Sequence, residues 1–380
     1  MKYIKYILLV LIVLPISVKG LEFAPNSKSA IMIEANTGKI IFEKNSNEKL
    51  HPASMTKMMS MLLIVESIEK GNLTWDEKIT VSENASKMGG SQILLETGEK
   101  MSVKDLFKGI AIASGNDAVV ALAEKIAGNE ENFVKMMNKR AKELKLKNTN
   151  FKNPHGLDDE NHYSSAKDMS LIAKELVKHQ EVLKYTSIYE DYLRENTDRK
   201  IWLVNTNKLV RFYEGVDGLK TGYTKEAGYC LTATAKKNNM RLISVVMGEP
   251  DSKTRNSETT ELLNYGFSQY ETINLLKSKI IGEYKIDKAK QSKVTVELKE
   301  EPIIVKKKMD KNKKYQCETK IKEIKAPLKK GTEVGTFIIK NKNNQIKTIP
   351  LIINENIQKA SIGDLYLRYL REIISGQINF

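Results

Sequence analysis

The sequence predicts an α+β fold: an antiparallel sheet flanked by helices, followed by a small all-β domain and a C-terminal amphipathic helix. Three observations carry this. β-rich runs that read as hairpins stand near both ends of the first 271 residues, with helical patterns between them. Beyond Glu271 short β-type runs alternate with lysine-rich connections, and the last segment returns to helical spacing. At 380 residues and 41% hydrophobic composition, the chain can form one large domain and a smaller one around real cores.

The elements follow in order. Lys2 and Lys5 precede an apolar run from Ile7 to Leu14, then Pro15 and Val18-Lys19-Gly20. A basic start, a short apolar middle and a small residue at the end predict a secretory signal peptide over residues 1–20. The run is short of the ~20 residues a spanning helix needs. Ser29 to Glu34 and Lys39 to Glu43 flank Asn36-Thr37-Gly38 as a first hairpin. Helical patterns cover Ser54 to Lys70, Val103 to Ile126 and Glu131 to Leu144. A second hairpin joins Tyr229–Ala235 to Leu242–Met247, and a helix follows from about Ser257 to Phe267. Val294–Glu300, Pro302–Lys308, Tyr315–Ile321, Gly335–Lys340 and Ile346–Ile353 form the all-β domain over residues 272–355. Over residues 356–380, Ile362, Leu365, Tyr366, Tyr369, Leu370, Ile373 and Ile374 make one apolar stripe. Asp364, Arg368, Arg371, Glu372 and Ser375 occupy much of the other face and Leu367 sits off the stripe, a pattern that suits a helix lying in a membrane interface and, as the alternative, one docked on the β domain.

Formal charge is +15 and the pI is near 9.3, which implies an anionic partner. Export would remove the chain from nucleic acid, so the basic surface is expected to face anionic lipid or wall polymer. Cys230 and Cys317 are too few and too far apart for a disulfide framework and are expected as free thiols. No His-Glu-x-x-His or cysteine cluster supplies a metal site, and no cofactor is expected.

Three short motifs carry chemistry. Ser54-Met55-Thr56-Lys57 opens a long apolar helix, so serine and lysine share a face and the amine can reach the hydroxyl. The helix entrance adds unpaired N–H groups and a positive dipole end, suited to a developing oxyanion. Alone the spacing is unspecific, since Ser46/Lys49, Ser67/Lys70 and Ser164/Lys167 share it. Ser114-Gly115-Asn116 lies inside an apolar helical stretch, where a hydroxyl and an amide together can relay a proton and hold a substrate amide. Lys220-Thr221-Gly222 precedes the second hairpin. Its lysine and threonine can clamp a carboxylate, and Gly222 can let an extended peptide approach the backbone.

In this order the three motifs are a specific combination, shared by penicillin-binding proteins and class A β-lactamases. From about Ser29 to Tyr270, and on through the β domain and tail, the chain resembles the low-molecular-mass D-alanyl-D-alanine carboxypeptidases of serine peptidase family S11. The hairpin strand Ser29–Glu34, Pro52–Lys57, Ser114–Asp117, Asn153-Pro154-His155-Gly156-Leu157, Val216–Gly222 and Arg241–Gly248 carry that resemblance. It implies a β-lactamase/DD-peptidase-like catalytic domain over residues 21–271, with Ser54 as acylated nucleophile, Lys57 as general base and Ser114 as proton relay. Asn116, Lys220, Thr221, Arg255 and Ser91 would contact substrate, and the backbone N–H groups of Ser54 and Tyr223 would receive the oxyanion. Tyr223 stands where relatives often carry histidine. The implied partners are a peptidoglycan stem peptide ending in D-Ala-D-Ala, β-lactam antibiotics, and the outer face of the cytoplasmic membrane through the C-terminal helix.

Rival readings fare worse. A class A β-lactamase needs a Glu-x-x-x-Asn loop before Lys-Thr-Gly, and Asp117 to Leu219 contains none. A histidine-based triad could recruit His51, His155, His162 or His179, but Lys57 already supplies a base. A non-catalytic wall-binding module would not need all six polar motif residues intact.

Overall fold

In a computed structural model, residues 23–310, 313–342 and 344–374 are described; the expected signal peptide lies outside them. The central sheet has five strands: β1 (Ser29–Glu34), β2 (Ile40–Lys44), β3 (Val216–Thr224), β4 (Gly228–Lys237) and β5 (Met240–Glu249), in the order β2-β1-β5-β4-β3. Every pairing is antiparallel. The first hairpin turns at Asn36-Thr37, where the Glu34 carboxylate accepts both backbone N–H groups.

Alternation along a strand sends neighbours to opposite faces. Ile31, Ile33, Ile243 and Val245 therefore join one apolar core, while Ala30, Met32, Leu242 and Val246 join a second. This sheet is covered on both sides, so β1 reads as a continuous apolar run. The first core holds α1 (Lys57–Glu69), apolar almost all round and buried at ten of its thirteen positions, as a helix at the centre of a domain should be. Beside it pack α2 (Val103–Ala113), α3 (Asn116–Ala127), α4 (Glu130–Glu143) and α5 (Ala166–Leu176). The second face carries α6 (Ser252–Gln269), which starts five residues earlier than its apolar pattern suggests because Asp251 caps it, accepting from Lys253 and Thr254 N–H.

Two sequence expectations change. The stretch from Val103 to Ile126 is two helices, broken where Ser114 adopts left-handed φ +66°. Ser54 lies in a 3-10 turn, Ala53–Thr56, that leads into α1.

The all-β domain follows. Its strands are β7 (Ile280–Lys285), β8 (Lys293–Leu298), β10 (Tyr315–Ile321), β11 (Glu333–Asn341) and β12 (Asn344–Ile353), in the order β7-β8-β12-β11-β10 around a third core. The remaining run is β9 (Ile303–Lys307), which leaves that sheet and pairs with β6 (Tyr270–Asn274). Val305 packs in the second core, against the five-stranded central sheet, and Lys39 Nζ donates to its carbonyl at 3.0 Å. Cys230 is buried, Cys317 is exposed, and both are free thiols. Helix α7 (Ile362–Ile374) closes the described chain, and among the described residues no helix is long and apolar enough to cross a membrane.

Candidate active site

The 3-10 turn that carries Ser54 is held in place by its neighbours. Ala53 is left-handed, at φ +47°. A Cβ on Gly156 (φ +88°) would lie 1.9 Å from the Ala53 carbonyl oxygen, so only glycine fits beside the turn that carries Ser54. On the other side a Cβ on Gly222 would meet Pro52 O at 2.8 Å and Ser54 N at 3.2 Å. The close approach at Gly222, expected for a substrate strand, is thus made by the serine's own turn.

Lys57 is fully buried, one helical turn beyond Ser54. Its Nζ lies 3.0 Å from Ser54 Oγ, 2.6 Å from Asn116 Oδ1 and 2.8 Å from the His155 carbonyl. Asn116 Nδ2 donates to Gly89 O at 2.7 Å, which fixes the amide with its oxygen toward the lysine. Two of the three lysine partners can only accept, and the third is a hydroxyl that can donate. A neutral amine, with two N–H and one lone pair, fits that set. Burial first, and then the Lys220 charge, push the Lys57 pKa well below its ordinary value, against a smaller opposing pull from Asp117.

Asp117 follows the Ser-x-Asn motif. Its buried carboxylate accepts from Ile93 N and Leu95 N, at 3.0–3.1 Å, and from Ala118 N at 2.8 Å. It fastens the loop after Ser91 against the site, while the Ser91 carbonyl accepts from Asn116 N at 2.7 Å. Ser114, in its left-handed cap, has a buried Oγ with no hydrogen-bond partner among the described residues.

Strand β3 lines the other wall. Lys220 is buried, its Nζ donating to Thr221 O at 2.9 Å. Burial, then the Arg255 charge, lower its pKa to about 7. Thr221 Oγ1 donates to Thr206 Oγ1 at 2.7 Å. Arg255, near the start of α6, is buried and donates Nε and Nη2 to Asn256 Oδ1, with no carboxylate within ion-pair distance among the described residues. The Tyr223 ring is 56% exposed and stacks on Tyr229 at 4.3 Å between centroids. Ser54, Ser91, Ser114, Thr221, Tyr223 and Arg255 open into one cleft of about 460 Å³. Lys208 and Thr206 also line it, and nothing in their local sequence marks them.

The histidines do other work. Lys152 N–H donates to His162 Nδ1, leaving Nε2–H for Thr56 Oγ1 at 2.8 Å. Burial lowers the His162 pKa to about 4 and that of His155 to about 3, the latter reinforced by Lys57. Among the described residues no imidazole bonds Ser54 Oγ; His155 contributes its backbone carbonyl instead. The Asn-Pro-x-Gly turn at 153–156 was the sequence signal for that contribution, and Asp117 was visible only as the residue after Ser-x-Asn.

An α+β domain with a lysine-paired serine at a helix entrance, facing a Ser-x-Asn corner and a Lys-Thr-Gly strand, defines a serine-type peptidase of the penicillin-binding class. Residues 19–251 match the family model for D-alanyl-D-alanine carboxypeptidase, and residues 270–359 match that for the C-terminal domain of penicillin-binding protein 5. The chain belongs to the D-alanyl-D-alanine carboxypeptidase family. It is 54% identical over 341 residues to D-alanyl-D-alanine carboxypeptidase DacF of Bacillus subtilis, covering 89% of this chain and 88% of the relative. It is 34% identical over 355 residues to DacA of Escherichia coli, covering 91% and 87%. Penicillin-binding protein 5 of Haemophilus influenzae superposes with a TM-score of 0.73 at 34% identity, over 90% of this chain and all of that one. The ampicillin-bound penicillin-binding protein D2 of Listeria monocytogenes superposes with a TM-score of 0.58 at 32% identity, over 64% and 98%.

Proposed function

We propose that Ser54 is the acylated nucleophile, and Lys57 its base, of a serine D-Ala-D-Ala carboxypeptidase that removes the terminal D-alanine from peptidoglycan stem peptides. One observation carries this assignment: a buried lysine, its charge suppressed, lies 3.0 Å from the serine hydroxyl with its two other contacts made to acceptors. Burial first, and then the second cation, disfavour the charged form of Lys57 and so make its lone pair available to the serine proton.

The neutral Lys57 amine takes the Ser54 proton as Oγ attacks the carbonyl carbon between the two D-alanines. The oxyanion is received by the backbone N–H groups of Ser54 and Tyr223. Ser114, whose hydroxyl has no partner among the described residues, passes the proton to the departing amine. Free D-alanine leaves, and water then hydrolyses the Ser54 ester. Lys220, Thr221 and Arg255 hold the terminal carboxylate, Asn116 orients Lys57 and the substrate amide, and Ser91 lines the approach. A β-lactam acylates the same serine. The test is D-alanine release from a pentapeptide ending in D-Ala-D-Ala, together with labelling by a fluorescent penicillin. Stoichiometric labelling of Ser54→Ala would overturn the assignment.

The carboxypeptidase family supports an extracytoplasmic location, and the finer reading is peripheral attachment to the outer face of the membrane. Helix α7 favours it: Ile362, Tyr366 and Ile374 are 90%, 66% and 77% exposed. The polar side is tied to the β domain, where Arg368 Nη1 donates to Ala289 O at 2.8 Å. The apolar stripe thus points outward instead of docking on the β domain. Residues 21–271 serve as the catalytic unit, 272–355 as the spacer and 356–380 as the attachment segment. Loss of co-sedimentation with anionic vesicles in Tyr366→Glu/Ile373→Glu tests this; unchanged sedimentation would refute it.

A further inference from the structure

A cavity of about 700 Å³ lies where the catalytic region meets the β domain, and it shares no residue with the active-site cleft. Three lysines that line it, Lys174, Lys236 and Lys279, have no ion-pair partner within 4.0 Å among the described residues. The other cations around it are paired with acids: Lys178 with Glu175, Lys299 with Glu333, Lys347 with Glu300, and Arg241 with Asp217. Lys174 and Lys236 come from the catalytic side, Lys279 and Lys347 from the β domain. Both faces of the junction therefore bring cations toward one space, where seven Lys and Arg side chains outnumber the two carboxylates, Glu300 and Glu301, so an anion placed between them is favoured.

The surroundings indicate which anion. The lone arginine, Arg241, is committed through both Nη atoms to Asp217, so no guanidinium fork is left for a carboxylate. Lysines remain, the point-charge donors suited to phosphate. Asn36, Gln180, Asn239 and Asn274 add neutral groups able to bond hydroxyls. The charge also continues past the cavity, since residues 272–380 hold 24 Lys+Arg against 12 Asp+Glu. A ligand with regularly repeated negative charge would stay neutralised along that surface.

We propose that this junction cavity binds a phosphodiester polymer, with Lys174 and Lys236 on one side and Lys279 on the other contacting successive phosphates. Such a polymer would bridge the two parts of the enzyme and tether it to a phosphate-rich wall component, independently of the D-alanine site.

The test titrates the full chain by calorimetry at several salt concentrations with a short synthetic poly(glycerol phosphate). Tripolyphosphate and phosphatidylglycerol vesicles serve as the free-phosphate and lipid arms. Lys174→Gln/Lys279→Gln should weaken polymer binding at least about tenfold and flatten the logarithmic salt slope by about 1.4, as expected for two lost phosphate contacts on a flexible chain. Lys322→Gln/Lys330→Gln, which alters two exposed β-domain lysines outside the cavity, should change binding less than about twofold, on the reasoning that uncontacted charges contribute weakly. Both variants should release D-alanine at the wild-type rate, which shows that they fold. Equal weakening in both variants, tripolyphosphate binding as tight as the polymer, or binding to vesicles alone would each overturn the proposal.

Discussion

Gly156→Ala offers the sharpest check on how Ser54, the proposed nucleophile, is held, because Gly156 is not itself among the proposed reacting residues. The added Cβ would lie 1.9 Å from Ala53 O and 2.9 Å from Thr56 Oγ1, whereas real Cβ contacts stay beyond 3.0 Å, so the Pro52–Thr56 turn must move by more than an ångström. The residue is also at φ +88°, where an L side chain costs about 1–2 kcal/mol. Overpacking adds about 1–3 kcal/mol. At roughly 2–4 °C per kcal/mol for a domain of this size, the melting temperature should fall on the order of 10 °C. A displacement of about 1 Å at the nucleophile should lower kcat/KM for D-alanine release about 100-fold. The acylation rate with a fluorescent penicillin should fall in parallel, since Ser54 is the proposed nucleophile of both reactions. Gly71→Ala is the control: Gly71 has φ +76° but nothing within 4 Å of its added Cβ, so it incurs the backbone term alone and leaves kcat/KM unchanged. A Gly156→Ala enzyme that melts no lower than Gly71→Ala and acylates normally would refute the packing argument.

Three further outcomes follow from the electrostatics. In the free enzyme Lys220 titrates at about 7, so kcat/KM for a carboxylate-ended peptide should decline above about pH 7. That limb should be absent from kcat, because the bound carboxylate retains the proton; identical alkaline limbs in both profiles would contradict the clamp. The same lysine is a stability liability. Its folded pKa lies below the unfolded 10.5, so the unfolded chain binds more protons between those values and stability rises with pH across that window. Lys220→Met should therefore raise the melting temperature most at pH 6 and less at pH 9, read by calorimetry. Asp117→Asn removes the charge that supports protonation of Lys57, so the acid limb of kcat/KM should move to lower pH. It should also cost about 1–3 kcal/mol, as the Ile93 and Leu95 N–H groups lose part of their acceptor.

The sequence by itself determined what local geometry controls. Three-residue spacing at a helix entrance puts Ser54 and Lys57 on one face wherever the helix goes, and the Asn36-Thr37-Gly38 turn joins two strands for reasons internal to that hairpin. Motif order then identified the family, and Lys220-Thr221-Gly222 was readable as a wall of the site. Long-range contacts decided the rest. The helix break at Ser114 falls at the polar Ser-Gly-Asn-Asp interruption, which reads equally well inside a continuous helix, because the break depends on a loop some twenty residues upstream that takes the Asn116 N–H and bonds Asp117. Gly156 and Gly222 matter because they admit the Ala53 turn from two distant segments. His155 matters through its carbonyl, which every residue type possesses, so the Asn-Pro-x-Gly turn marked the loop while only the fold brought that carbonyl to Lys57. The decisive property, a lysine kept neutral enough to act as a base, belongs to no residue alone: desolvation and the Lys220 charge exist only once separate segments close around Lys57.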